Sequence, residues 1–148
     1  MATVPFHYVD LRAFAYATEN VDRVEAALRT FLPAAFPVER TRSEGYHGDR
    51  ILVLETRVEN ADDVRHVLGR LAAMDSVGRV LDELDERVTE NTELFLRLDK
   101  QAAYRGRVEL GAGLTLRGKV EAYPADRDRA IENARDVLTR LAEADGVA

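Results

Sequence analysis

The sequence predicts an α+β domain, a sandwich in which helices pack on one face of a mixed, mainly antiparallel sheet. Three features predict it. Several short segments alternate apolar and polar residues, as where Leu94, Leu96 and Leu98 interleave with Phe95, Arg97 and Asp99. Between such segments apolar residues recur at helical spacing, as in Val64, Val67, Leu68 and Leu71. The resulting order is strand, helix, short strand, strand, helix pair, strand, hairpin, helix, which lets most neighbouring strands pair antiparallel. The 148 residues contain no internal repeat and no low-complexity linker, so residues 1–148 are read as one domain with a full core.

The first strand runs from Phe6 to Ala17, with Val9, Leu11, Ala13, Ala15 and Ala17 on one side and Tyr8, Arg12, Phe14 and Tyr16 on the other. Apolar content on both faces places it inside the sheet. Thr18 and Asn20 are candidate caps for a helix carrying Val21, Val24, Leu28 and Phe31, which Pro33 ends. Val38 to Arg42 reads as a short edge strand. Next come a loop with Gly45 and Gly48, then a strand from Ile51 to Val58. Asn60 caps a second helix with Asp62 and Asp63 in its first turn. Val77, Val80, Leu81, Leu84 and Val88 mark a third helix.

Leu94 to Asp99 is an aliphatic-faced strand that delivers a short turn, Lys100 to Arg105. Asp99 is positioned to cap that turn, and Gly106 to end it. Arg107 to Leu110 and Leu114 to Tyr123 read as a hairpin around Gly111-Ala112-Gly113. After Pro124, Asp126 or Ala125 begins a last helix with Ala130, Ala134, Val137, Leu138 and Leu141 on its inner face, and Gly146 lies just beyond it. Phe14, Tyr16, Arg117 and Lys119, if they share the face away from the helices, are available to a partner.

The absence of cysteine excludes a disulfide framework, a thiolate metal site and a cysteine nucleophile, and fits a cytoplasmic protein. There is no apolar run of membrane-spanning length and no signal-peptide pattern at the N-terminus. The chain carries a net charge of -6, and only Lys100 and Lys119 among its 21 cations are lysine. Such an acidic, lysine-poor composition is expected of a halophilic protein that must stay hydrated in concentrated salt, although a GC-rich genome gives the same arginine excess. From Arg97 to Lys119 six cations face two anions, a local +4 that leaves -10 on the rest. A basic segment on an acidic chain fits an anionic partner.

Two segments carry a resemblance. Gly45-Tyr46-His47-Gly48-Asp49-Arg50-Ile51, and Leu96 to Gly106 with its Leu-Asp-Lys-Gln-Ala-Ala core, resemble an archaeal family of small RNA-binding-domain proteins described as exosome-subunit-like. The family fold is similar to that of the ribosomal protein that contacts five-S rRNA. The resemblance covers nearly the whole chain, and Asp49-Arg50 stands where many relatives have Asn-Pro. It implies an RNA-related role, with structured or ribosomal RNA as partner, possible exosome contacts, and a haloarchaeal member of the family.

No enzyme signature accompanies it. His7, His47 and His66 have no metal-ligand spacing to one another, and neither His-Glu-x-x-His nor a phosphate loop is present. The expectation is a non-catalytic protein with no cofactor and no metal. For RNA binding, Lys100, Gln101 and Arg105 are expected to form one side of a site, and His47 and Arg50 the other. Arg42 and Arg117 are further candidates for phosphate, Gln101 for a base edge or 2′-hydroxyl, and Tyr46 or Tyr104 for stacking. The plainer reading is that Asp99 caps a turn and its neighbours are ordinary surface residues. The rival function is an assembly module that uses an exposed sheet face for homodimer contacts.

Overall fold

The computed structural model describes residues 4–44 and 50–147. Five strands form one sheet: β1 Phe6–Ala15, β2 Glu39–Glu44, β3 Arg50–Val58, β4 Glu93–Asp99 and β5 Gly113–Val120. Their spatial order is β2-β3-β1-β5-β4, and all four pairings are antiparallel. Among the described residues there are six helices: α1 Val21–Arg29, α2 Ala61–Ala72, α3 Val77–Asp82, α4 Leu84–Arg87, α5 Lys100–Tyr104 and α6 Arg127–Val147.

The period-two pattern decides which face is buried. Val9, Leu11, Ala13 and Ala15 of β1, Leu54 and Val58 of β3, Leu94, Leu96 and Leu98 of β4, and Leu114 and Leu116 of β5 all face the helices. They meet Leu28 and Phe31 from the α1 region, Leu68 and Leu71 of α2, and Ala134 and Leu138 of α6 in one core. Burying an aliphatic or aromatic side chain of this size stabilises by about 1.5–3 kcal/mol, so a slip of one residue in any strand would expose its whole apolar set. Gly118 is fixed by packing, because a Cβ there would lie 2.7 Å from the Phe6 ring.

The sequence-predicted caps fall where expected. Asn20 Oδ1 accepts from the amides of Asp22 and Arg23, and Asn60 Oδ1 from Asp62. Asp126, expected as a possible first residue of the last helix, instead precedes it and accepts at Oδ1 from the Arg129 amide.

Several boundaries differ: β2 runs Glu39–Glu44 instead of Val38 to Arg42, and β5 runs Gly113–Val120 instead of Leu114 to Tyr123. β1 stops at Ala15 instead of Ala17, because Tyr16 enters a turn in which its amide donates to Glu19 Oε1 and its carbonyl accepts from the Glu19 amide. The third helix divides into α3 and α4 at Glu83, which turns Val88 toward β4 to bridge Leu94. Residues 107–110 do not pair with β5. Gly106, at φ 82°, redirects the chain, and Leu110 bridges Leu98 on the outer edge of β4. α6 runs through Gly146 to Val147.

Candidate nucleic-acid interface

The five predicted site residues have different fates. Asp99 ends β4 and caps α5, its Oδ1 accepting from the Ala102 amide at 2.8 Å. Ala102 and Ala103 are buried, so α5 sits with its small side inward and Gln101, Tyr104 and Arg105 exposed. The Thr30 hydroxyl donates to the Ala103 carbonyl, tying this turn to the end of α1. The turn is locked from the other side by the 109–113 segment: the Asp99 amide donates to the Glu109 carbonyl and the Lys100 amide to Ala112. Gly111 and Gly113 permit this approach, since a Cβ on either would lie 2.6 Å from the Cβ of Asp99 or Lys100 respectively.

Lys100 is not a free cation. Its side chain is only 12% exposed, and Nζ stands 2.8 Å from Glu19 Oε2. Nζ also donates to the Phe14 carbonyl at 3.1 Å and lies 5.4 Å from the centre of the Tyr16 ring. Burial alone would raise the Glu19 pKa, but hydrogen bonds from Lys100 and the Tyr16 amide outweigh it and hold the carboxyl below its usual range. Lys100 therefore braces the end of β1.

Arg50 opens β3 and is exposed. Register places it at the same end of the sheet as Lys100: Ala15 pairs with Leu52, Ala13 with Leu114, and Gly113 with Asp99. Strands β1 and β5 lie between the two sides of the predicted site. His47 and Tyr46 lie outside the described residues. Among the described residues, Arg42, Arg50, Arg97 and Arg105 make neither an ion pair nor a side-chain hydrogen bond. Arg23, Arg70, Arg127 and Arg135 also lack a carboxylate but are held by the Tyr104 ring or by backbone carbonyls, and most other arginines hold a carboxylate. Tyr104 is engaged by the Arg23 guanidinium, 5.6 Å from its ring centre.

Among the described residues nothing covers the sheet face opposite the helices, and Phe14, Arg117 and Lys119 do share it. At one end it is an ionic lattice. Asp10, central on β1, receives Arg57 at 2.8 Å from β3 and Arg117 at 3.1 Å from β5. Burial would push the Asp10 carboxyl up, but the two guanidinium hydrogen bonds prevail and its pKa is lowered. Arg57 stacks 3.9 Å over the Tyr8 ring, and the Tyr8 hydroxyl donates to Glu93. One row further on, Arg12 donates to Glu55 at 3.0 Å. Lys119 donates to the Asn91 carbonyl. Toward the other end the face turns apolar, with Phe14 38% exposed opposite Val53 of β3, and Tyr16 50% exposed beyond it. A groove of about 610 Å³ crosses the face, lined by Asp10, Arg12, Phe14, Arg57, Phe95 and Arg117 among others. Phe95 was not singled out from the sequence. Its alternation with Leu94 and Leu96 assigns it to this face, and only the strand order shows that the face is uncovered.

Among the described residues no group of three or more His, Asp or Glu side chains is arranged to hold a metal ion. No helix of the described residues is long and apolar enough to cross a membrane. His66 is exposed on α2, and His7 Nδ1 lies 3.6 Å from Glu121.

Fold and site together define a two-layered α+β domain with an open antiparallel sheet face and unpaired arginines around one end. A family model described as RNA binding matches residues 8–120, and the chain belongs to that family. It is 29% identical over 143 residues to an RNA-binding protein of Pyrococcus abyssi, covering 89% of this chain and 93% of that one. Among solved structures, a DUF54 protein of Methanothermobacter thermautotrophicus is similar with a TM-score of 0.78 and 41% identity, over 90% of this chain and 98% of that one. A protein of Archaeoglobus fulgidus is similar with a TM-score of 0.80 and 26% identity, over 89% and 99% of the two chains. These relatives are all archaeal.

Proposed function

We propose that this protein is a non-catalytic RNA-binding protein that engages RNA at the end of the sheet where α5 and the start of β3 lie. The observation that carries this reading is the distribution of unpaired cations. Arg50 and Arg105 are exposed and free of ion pairs among the described residues, in a chain of net charge -6 whose other arginines are mostly spent on carboxylates. An unpaired guanidinium presents a planar fork suited to phosphate. Gln101 supplies a donor and an acceptor for a base edge or a 2′-hydroxyl. His47 belongs to the same proposal through its place in the segment before Arg50. Lys100 contributes by bracing Phe14 and Glu19. The family description and the name of the Pyrococcus relative support an RNA partner. Association with the exosome or with ribosomal RNA, a cytoplasmic location and a haloarchaeal source are finer readings that rest on the resemblance and the acidic composition.

The test is binding of total cellular RNA and a labelled structured RNA at matched salt. Losing a phosphate or base contact costs about 1–3 kcal/mol. Arg50→Glu with Arg105→Glu should weaken binding at least about tenfold and flatten its salt dependence by roughly one phosphate per residue. Arg129→Glu with Arg135→Glu, on the exposed side of α6, should change little. Equal loss in both pairs, or loss in neither, would show that the site is misplaced.

A further inference from the structure

We propose that the open sheet face around Phe14, Tyr16 and Arg97 binds single-stranded RNA by stacking unpaired bases, a reading that rests on the RNA-binding function above and extends it to a class of RNA. The face is built for a flat, apolar, anion-linked ligand. Phe14 and Tyr16 project from one side of β1 and the turn after it, with ring centres 6.4 Å apart and planes inclined by 30°. Both are substantially exposed, and their neighbours Val53 and Ile51 are half-buried. The backbone that carries the aromatic pair is held in place, because Lys100 Nζ binds the Phe14 carbonyl and Glu19, which in turn accepts from the Tyr16 amide. A backbone fixed in this way loses little freedom when a ligand arrives.

The charge on the face selects the occupant. Asp10, Glu55 and Glu93 would repel a phosphate, but each is engaged by arginine or tyrosine partners, and Glu39, the exposed carboxylate beside Glu55, lies on the edge strand β2 at the opposite side of the sheet from Arg97. Arg97 is exposed, free of ion pairs among the described residues, and one row from Phe14, in the row shared by Thr115 and Arg12. A stacking surface with a free guanidinium at its edge is the combination that holds single strands: rings take the bases and the cation takes the backbone. A-form duplex buries its base faces and offers only phosphates, 2′-hydroxyls and groove edges, so it gains nothing from Phe14 and Tyr16. A second copy of this chain is a poorer fit. In a two-fold pairing the same patch meets itself. Arg97 would lose water while Asp10, Glu55 and Glu93 of the other copy are already occupied, so its desolvation is compensated less well than by a phosphate.

The experiment compares fluorescein-labelled oligouridine of roughly 8 nucleotides, within the site size of one sheet-based single-strand binder, with an RNA duplex of roughly 16 base pairs. Fluorescence anisotropy is read at matched salt, and a 2-aminopurine base in the oligonucleotide reports stacking by quenching. Wild type should bind the single strand in preference and quench the probe. Phe14→Ala with Tyr16→Ala should weaken oligouridine binding by about tenfold or more and abolish quenching. Phe14→Leu with Tyr16→Leu, which keeps apolar bulk, should lose quenching as well. Both aromatics are surface residues, and matched melting curves check that the variants fold. Duplex bound as tightly as the single strand, an unchanged double variant, or a wild-type dimer that dissociates on Phe14→Ala would overturn the inference. If wild type binds duplex through Arg50 and Arg105 while the aromatic variants are silent, this inference falls alone. If wild type binds neither RNA, the RNA-binding reading falls with it.

Discussion

Asp10 shows how one residue organises a surface. It sits at the centre of the middle strand and collects a guanidinium from each neighbouring strand. Exposed ion pairs of this kind contribute roughly 0–1 kcal/mol each; here two share one partly buried carboxylate, and the pair also fixes Arg57 over Tyr8. The direction of the pKa shifts sets the pH dependence. Asp10, Glu19 and Glu25 all have folded pKa values below their ordinary ones. A carboxyl lowered on folding lends stability above its unfolded pKa, about 4, and withdraws it as pH falls through the folded value. Melting temperature should therefore hold near neutrality and drop below about pH 4. Asp10→Asn should melt lower than wild type near neutrality, and the gap should narrow as the pH falls below that value. A gap that stays constant across the acid limb would assign the loss to shape instead of charge.

Among the elements, the junction of β4, α5 and the start of β5 carries the most interlocking constraints. Asp99 caps α5 while its own amide is held by Glu109, and Gly111 and Gly113 let the backbone cross within contact of Asp99 and Lys100. Gly113 is doubly constrained, with φ at 106° and Lys100 Cβ only 2.6 Å from where its own Cβ would stand. Gly113→Ala should cost about 1–3 kcal/mol, from a sparsely populated backbone conformation and the displacement of Lys100. Urea unfolding measures the loss. Because Lys100 braces Phe14 and Tyr16, the same variant should also weaken oligouridine binding more than its stability loss explains when measured well below its melting temperature. Gly106→Ala, strained by its φ of 82° but open on its Cβ side, is the comparison that isolates backbone strain.

At the scale of the whole molecule the balance lies between a net charge of -6 and a surface laced with arginine–carboxylate pairs. Salt weakens both self-repulsion and the pairs. At molar salt the Debye length shrinks to about 3 Å, which removes long-range repulsion while contact pairs persist in part. The melting temperature should rise from low to molar potassium chloride, and a flat or falling curve would remove the halophilic reading. Binding at high salt then depends on short-range geometry, since phosphate contacts lose affinity steeply as salt rises. Stacking on Phe14 and Tyr16 is the component least sensitive to salt.

The sequence by itself determined the elements and their inner faces. Alternation in Leu94 to Asp99 and helical spacing in Val64 to Leu71 are local properties, and so are caps at Asn20, Asn60 and Asp99, which bond to amides only two or three residues away. Together with the turn chemistry they made the α+β class legible. Tertiary structure alone decided what each cation does. Lys100, read as a phosphate ligand, meets Glu19 across 81 residues of chain, and Arg117 meets Asp10 across 107. No local pattern records partners so distant. The same is true of strand order, which sends Leu110 to β4 instead of β5 and leaves Phe14 and Phe95 on a face with no helix over it among the described residues. Whether a charge is free or paired, and whether a face is covered, depends on which strands become neighbours, and neighbours are chosen by the packing of the whole core.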